Sequence, residues 1–349
     1  MDIKNLVRKN ILSLKPYTSA RQSHLTGILL DANENSYGSV IENFSSLELN
    51  RYPDPQQTQL RSSLGTLLNV PAGNLFFGVG SDEIIDLLIR IFCYPGEDNV
   101  VVCEPTYGMY KVACDVNGVD VQNAPLDANY QLDAEAVKEK TNGKTKIIFV
   151  CSPNNPSSNL LDKRSILRLA QEINAMIIVD EAYIDFSEDE GLIKEATEIP
   201  NLVVMRTFSK AWGLAGIRSG FCAAHADIID LLFKVKLPYN MNKLTADVVL
   251  HAINNVSKRD EFIQKILSER KRIEKELKAK KKILNVLPSD ANFISFKVDD
   301  PQKIFRYLET SGIVIRDRSN QYNFAGYLRL TIGTEEQNNL FLQKLDEIL

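Results

Sequence analysis

The sequence predicts an α/β protein with a large domain and a smaller α+β domain. The large domain carries a mostly parallel seven-stranded sheet covered by helices. Three observations predict it. Seven short strand-like runs recur between residues 75 and 223, and one of them, Leu202-Val203-Val204-Met205, is apolar without alternation, the pattern of a strand buried on both faces. Helix-period segments separate most of them, so consecutive strands are joined by crossovers. After Pro238 the composition shifts to charged helical chain and then to alternating strands, which marks a second unit.

In chain order, residues 1–30 read as an arm, and Asn50-Arg51-Tyr52-Pro53-Asp54-Pro55 as a proline-broken loop. A helix is expected over about 56–69. Leu75-Phe76-Phe77-Gly78-Val79 reads as a strand, Gly80-Ser81-Asp82-Glu83 as a turn, and Ile84 to Phe92 as a helix with Ile84, Leu87, Leu88 and Ile91 on one face. Further strands are expected at 99–103, 119–124, 146–151, 176–180, 202–206 and 217–223, with a helix from Ser165 to Asn174. Residues 243–284 read as mainly helical, and the charged run 265–282 as a solvated helix face. Strands at 292–297, 313–316 and 327–331, a helix near 301–310 and a last helix from about 334 complete the smaller unit. The expected division is 1–50 (arm and part of the small domain), 51–240 (large cofactor-binding domain) and 241–349 (small C-terminal domain).

Composition narrows the function classes. A net charge of -4 gives no electrostatic case for nucleic acid. No apolar run reaches membrane-spanning length, and the N-terminus lacks the apolar core of a signal peptide. The cysteines (Cys93, Cys103, Cys114, Cys151 and Cys222) form no C-x-x-C pair, so they read as buried reduced thiols in a cytoplasmic protein. His24, His225 and His251 are scattered, so no metal site is expected.

Five stretches carry chemistry. Gly78-Val79-Gly80-Ser81-Asp82-Glu83 delivers a strand to a helix start, which suits a phosphate; an ordinary helix cap by Ser81 or Asp82 reads equally well. Glu104 to Tyr110 places Tyr107 after a strand, either to stack on a flat ring or as a packed loop aromatic. Cys151-Ser152-Pro153-Asn154-Asn155-Pro156 offers the Asn155 amide or simply a capped turn. Ile177-Ile178-Val179-Asp180 ends an apolar strand in a carboxylate, which is costly unless it meets a cation or donor. A magnesium ligand is the competing reading, but no P-loop accompanies it. Last, Arg206-Thr207-Phe208-Ser209-Lys210 with Arg218 puts a lysine among hydroxyls and an arginine. In order, these supply a phosphate cradle, a stacking ring, an amide, a carboxylate, a lysine and an arginine. Pyridoxal 5′-phosphate needs all six: a lysine for its aldehyde, an acid for its ring nitrogen, and hydroxyls, N–H groups and an arginine for its phosphate.

With these motifs, the chain resembles the aspartate-aminotransferase-like (fold type I) enzymes, and among them the histidinol-phosphate aminotransferase family. Pro16-Tyr17, Asn33-Glu34-Asn35, Asn50-Arg51-Tyr52-Pro53, Ile315-Arg316-Asp317 and Leu328-Arg329-Leu330 extend the match over nearly the whole chain. The resemblance implies a homodimeric enzyme using pyridoxal phosphate, with Lys210 as covalent tether and base and Asp180 paired to the ring nitrogen. Asn155 and Tyr183 would bond the phenolic oxygen and Tyr107 would stack on the ring. Ser81, Asp82, Thr207, Ser209 and Arg218 would surround the phosphate, joined by Tyr52 from the other subunit. Tyr17, Asn33, Arg316 and Arg329 would hold the substrate. The implied reaction is transamination between histidinol phosphate and 2-oxoglutarate. A broad aromatic or branched-chain aminotransferase and a threonine-phosphate-type decarboxylase share these features. One departure stands out: Ser157-Ser158 replaces the Thr-Gly usual after Asn-Pro, and a locally rebuilt turn is expected.

Overall fold

A computed structural model describes residues 28–31, 33, 35–37 and 53–349. Most of the expected arm, together with Tyr17 and Tyr52, lies outside the described residues. The strands in chain order are β1 (Ile28–Leu29), β2 (Leu75–Gly78), β3 (Asn99–Glu104), β4 (Asp120–Pro125), β5 (Thr145–Cys151), β6 (Met176–Asp180), β7 (Leu202–Thr207), β8 (Gly220–Ala224), β9 (Asn285–Val286), β10 (Phe293–Lys297), β11 (Ile313–Val314), β12 (Arg316–Asp317) and β13 (Tyr327–Thr331). The helices are α1 (Thr58–Leu68), α2 (Gly80–Phe92), α3 (Met109–Asn117), α4 (Ala134–Lys140), α5 (Lys163–Glu172), α6 (Ile193–Glu198), α7 (Ala226–Val235), α8 (Lys243–Ile253), α9 (Val256–Ala279), α10 (Pro301–Thr310) and α11 (Glu335–Ile348).

The large sheet has the order β2-β8-β7-β6-β5-β3-β4. Strand β8 runs antiparallel to both neighbours, and the remaining pairs are parallel. Side chains alternate across each strand, and the core divides accordingly. Ile177 and Val179 pack into one apolar cluster, while Ile178 between them packs into the other. Both faces are therefore covered, which is why these strands read as continuous apolar runs. All five cysteines are buried and free, three of them on these strands.

The C-terminal part carries a four-stranded sheet, β12-β13-β10-β9, and a parallel pair, β1-β11. Helix α9 buries Phe262, Ile263, Ile266, Ile273 and Leu277 along one stripe, so its charged positions form the solvated face. The helix stops at Ala279, leaving 280–282 outside it. The strand expected over 313–316 is two strands. Val314 ends a pairing with β1, and Arg316 begins one with β13, so Ile315 is the crossover between sheets. The strand expected from 217 starts at Gly220, because Ala215–Ile217 form a 3-10 turn and Arg218 takes the left-handed conformation (φ 52°).

A buried ion pair ties together the ends of β6 and β7. Arg206 Nε donates to Glu181 Oε2 at 2.9 Å, while Glu181 Oε1 accepts from the Leu192 N–H at 2.6 Å. The Arg206 Nη2 donates to the Glu190 carbonyl at 2.6 Å. Burial raises the Glu181 carboxyl pKa, and the guanidinium opposes the rise. Asp180 and Thr207 are the adjacent residues, so this clamp fixes the strand ends that carry them. Arg206→Leu strands the carboxylate in the interior and is expected to cost about 3–5 kcal/mol. Urea unfolding measures it, and an unchanged midpoint would show that the pair is not a clamp.

Candidate active site

Strands β3, β5, β6 and β7 point their carboxyl ends to one edge of the sheet, where open α/β sheets bind ligands. Because β8 is reversed, its first residue, Gly220, lies at that same edge, opposite both Gly78 and Thr207. Gly78 in turn leads into α2. A cavity of about 290 Å³ opens here. It is lined by Asn33, Ser81, Asp82, Tyr107, Asn155, Asp180, Tyr183, Thr207, Ser209, Lys210, Arg218, Arg316 and Arg329. Every candidate site residue within the described part of the chain is therefore brought to one place. Asp31 and Arg318 line it as well.

One end is an anion cradle. Helix α2 begins at Gly80, and no side chain caps it, so the expected cap by Ser81 or Asp82 does not form. The positive φ of Gly80 (74°) starts the helix there instead. The first-turn N–H groups, which have no intrahelical acceptor, border the cavity. Two close approaches need glycine. A Cβ on Gly220 would sit 2.6 Å from Ser81 N, and one on Gly80 would sit 2.9 Å from Arg218 Nη2. Arg218 pairs with Asp82 at 3.1 Å. The Thr207 and Ser209 hydroxyls meet at 2.9 Å, and the Ser209 N–H donates to Thr207 Oγ1 at 3.1 Å. Hydroxyls, a helix N-terminus and a guanidinium together suit a phosphate.

The middle of the cavity holds Asp180. The Tyr110 hydroxyl donates to its Oδ2 at 2.8 Å, and the Ala182 N–H to its Oδ1 at 3.1 Å. Burial pushes the carboxyl up to about 6, against the pull of these two hydrogen bonds and the Lys210 charge. Tyr110 is fully buried, stacked on Phe149 at 4.8 Å with planes 3° apart, and edge-on to Tyr107 at 5.6 Å. The motif reading gave Tyr110 no role. Its signal was the three-residue step from Tyr107 into the first turn of α3, which puts both rings on one side of the helix start.

The opposite wall links the two sheets. Arg329 Nη1 donates to Asn155 Oδ1 at 2.6 Å and Nη2 to the Asp31 carbonyl at 2.9 Å. Asn155 Nδ2 reaches the Tyr183 hydroxyl at 3.5 Å, and Asn33 Nδ2 donates to it at 3.0 Å. Thr331 Oγ1 donates to Asn33 Oδ1 at 2.8 Å, closing the network. Burial raises the Tyr183 hydroxyl to about 12, with Arg329 and Asn33 opposing. Lys210 Nζ lies 5.7 Å from the centre of the Tyr183 ring.

The turn after Asn155 is not rebuilt around its missing glycine. Ser158 itself takes the left-handed conformation (φ 69°), a strain of about 1–2 kcal/mol for a residue with a Cβ. Surrounding bonds hold it there. Its N–H donates to the Asn154 carbonyl at 2.7 Å, its hydroxyl to the Pro288 carbonyl at 3.1 Å, and its own carbonyl accepts from Asp290 N at 2.7 Å.

Comparison with known proteins decides the family. The profile of the family described as aminotransferase class I and II matches residues 26–345. The chain belongs to the class I and II aminotransferases. It is 44% identical over 345 residues to a histidinol-phosphate aminotransferase of Cytophaga hutchinsonii, covering 98% of each chain. It is 45% identical over 346 residues to one of Parabacteroides distasonis, covering 99% of this chain and 98% of that one. The solved histidinol-phosphate aminotransferase of Sinorhizobium meliloti, in complex with pyridoxal-5′-phosphate, has the same fold (TM-score 0.85, 21% identity, 98% and 97% covered).

Pyridoxal phosphate is the cofactor of this family of enzymes, and the cavity fits it. Glycines keep the anion cradle open where a Cβ would fill it, and a cationic ring nitrogen beside Asp180 would relieve the burial of its carboxylate. Two outcomes are expected. Gly220→Ala pushes the α2 N-terminus off the cradle and weakens pyridoxal-phosphate binding roughly tenfold, about one charge-assisted hydrogen bond, with unchanged circular dichroism. Absorbance titration reads it, and an unaltered affinity would remove the cradle argument. For Asp180 the folded group binds its proton more tightly than the unfolded one (usual value 3.8). The cofactor-free protein therefore loses stability as pH rises from about 4 to about 6, on the order of 3 kcal/mol. Asp180→Asn abolishes that slope in thermal unfolding. The same slope in both proteins contradicts the assignment.

Proposed function

We propose that this enzyme transfers the amino group between L-histidinol phosphate and 2-oxoglutarate, working biosynthetically from imidazole-acetol phosphate and glutamate. The observation that carries the reading is the pairing of Arg316 with Arg329 across β12 and β13, both facing the cavity that holds Lys210 and Asp180. Two planar guanidiniums suit a phosphate ester, and one of them suits the carboxylate of glutamate in the other half-reaction. The near-full-length identity to histidinol-phosphate aminotransferases supports the same substrate.

When bound, pyridoxal phosphate supplies an aldehyde for amine exchange and an electron sink for the bond breaking at the substrate Cα. The chain's residues do the rest. Lys210 would be the tether and, freed from that bond, its Nζ would be the base that takes the substrate Cα proton and gives it back. Asp180 holds the proton on the ring nitrogen, and Tyr110 orients Asp180. Asn155 and Tyr183 would hydrogen-bond the phenolic oxygen, while Tyr107 would cover the ring and exclude water. Ser81, Asp82, Thr207, Ser209 and Arg218 hold the phosphate. Arg316, Arg329 and Asn33 position the substrate.

The proposal includes a homodimer in which Tyr52 reaches the neighbouring site and Tyr17 closes over the substrate. It also includes a cytoplasmic location and a division into a large unit over 51–240 and a small one over 241–349 with the arm. Among the described residues, no helix is long and apolar enough to cross a membrane.

The holoenzyme, followed by its visible absorbance, should accept L-histidinol phosphate with a kcat/KM roughly 100-fold or more above phenylalanine and leucine, since a single carboxylate meets only one of the two guanidiniums. A preference for either amino acid would overturn the substrate. Lys210→Ala should lose at least about 10²–10⁴-fold in turnover and no longer be fixed to the cofactor by borohydride. Retained turnover with a reducible protein–cofactor bond sinks the role of Lys210.

A further inference from the structure

We infer that Arg318 is a third anion-binding arginine and sets the preference for a phosphate ester over a carboxylate. The inference rests on the substrate reading above and deepens it. Arg318 follows β12 by one residue, and its N–H continues the ladder to β13 by donating to the Tyr327 carbonyl at 3.0 Å. Residues two apart on an extended strand share a face, so Arg318 projects on the side of Arg316. Arg329, the cross-strand partner of Arg316, shares that side too. All three line the same cavity. Three guanidiniums on adjacent positions of one sheet face repel each other unless an anion lies between them.

Asp317 points to the opposite face, where its Oδ1 accepts from the Ser319 N–H at 2.8 Å. At the other end of the cavity, Asp82 pairs with Arg218 and Asp180 accepts from Tyr110. Asp31 is the remaining lining carboxylate, beside Arg329. A substrate carboxylate offers two oxygens and one charge, which one guanidinium satisfies in a bidentate pair. A phosphate monoester offers three terminal oxygens and a charge between about -1.5 and -2. The third guanidinium therefore matches what the ester has and the carboxylate lacks.

Arg318 is also held in position. Its carbonyl accepts from the Gln321 N–H at 3.0 Å, and Gln321 Nε2 donates to the Thr106 carbonyl at 3.3 Å. The turn that follows Arg318 is thus docked on the segment carrying Tyr107, which fixes the backbone that presents the guanidinium to the cavity.

The two half-reactions can be measured separately on the holoenzyme, by rapid mixing with L-histidinol phosphate or with L-glutamate. Arg318→Gln is expected to weaken apparent binding of histidinol phosphate at least roughly tenfold more than that of glutamate, with the limiting rate of the step little altered. Arg318→Lys, which keeps the charge but loses the fork, should restore part of the difference. Inorganic phosphate, used as a competitive inhibitor of the glutamate half-reaction, should lose affinity in Arg318→Gln by a similar factor. Equal weakening toward both substrates, or no weakening, overturns the inference. If the wild-type enzyme does not process histidinol phosphate, the substrate reading fails, and the phosphate inhibition still decides whether Arg318 binds a phosphate.

Discussion

Arg329 is the constraint on which the site depends. Its side chain is almost wholly buried, and two of its hydrogen bonds go to neutral oxygens, the Asn155 amide and the Asp31 carbonyl. Such partners orient the guanidinium, and its charge lowers the Tyr183 hydroxyl against the effect of burial. One residue of the small sheet thereby joins the Asn155 turn to the segment carrying Asp31 and Asn33. The Asn155 turn, the Asn33 loop and β13 have to keep register with one another for that to hold.

The large sheet supplies the rigidity. Parallel strands end at a common edge, and the ends of β3, β5, β6 and β7 turn Tyr107, Asn155, Asp180 and Thr207 toward the cavity. Reversing β8 brings a glycine rather than a bulky strand end beneath the α2 N-terminus. The Glu181–Arg206 clamp sits one residue from both Asp180 and Thr207, on the far side from the cavity. Stability and chemistry are therefore assigned to neighbouring residues of the same strands. The strained Ser158 follows the same logic, since its conformation is fixed by partners from residues 288 and 290 rather than by its own preference.

Much of this was legible in the residues because it depends on local pattern. Apolar runs such as 147–151 and 202–205 announce strands covered on both faces, and the polar motifs after β3, β5, β6 and β7 mark the edge where ligands bind. What escaped depends on partners distant in sequence. The Tyr110 bond to Asp180 spans 70 residues, and no local rule relates a helix-start tyrosine to a strand-end acid. The break at Ile315 was invisible because Ile313 to Arg316 has the composition of one strand; only the different partners of its halves divide it. At α2 the residues left two readings open because Ser81 and Asp82 have capping chemistry, yet Gly80 begins the helix before them and neither caps it. At Ser158 a glycine conformation persists without a glycine, which tertiary hydrogen bonds can enforce and sequence rules cannot foresee.

The pairing of β1 with β11 has a consequence for how the chain comes together. Leu29 lies alongside Val314, and the Asn33 N–H reaches Thr331 across a separation of 298 residues. A chain emerging from the ribosome can complete the large sheet once β8 is made. Its beginning must then wait, unpaired, until nearly the last strand has been synthesised. The wall that carries Asn33, Arg316 and Arg329 is thus the last part of the site to assemble. A chain truncated after β8 would have the means to hold a cofactor phosphate but no wall to choose a substrate.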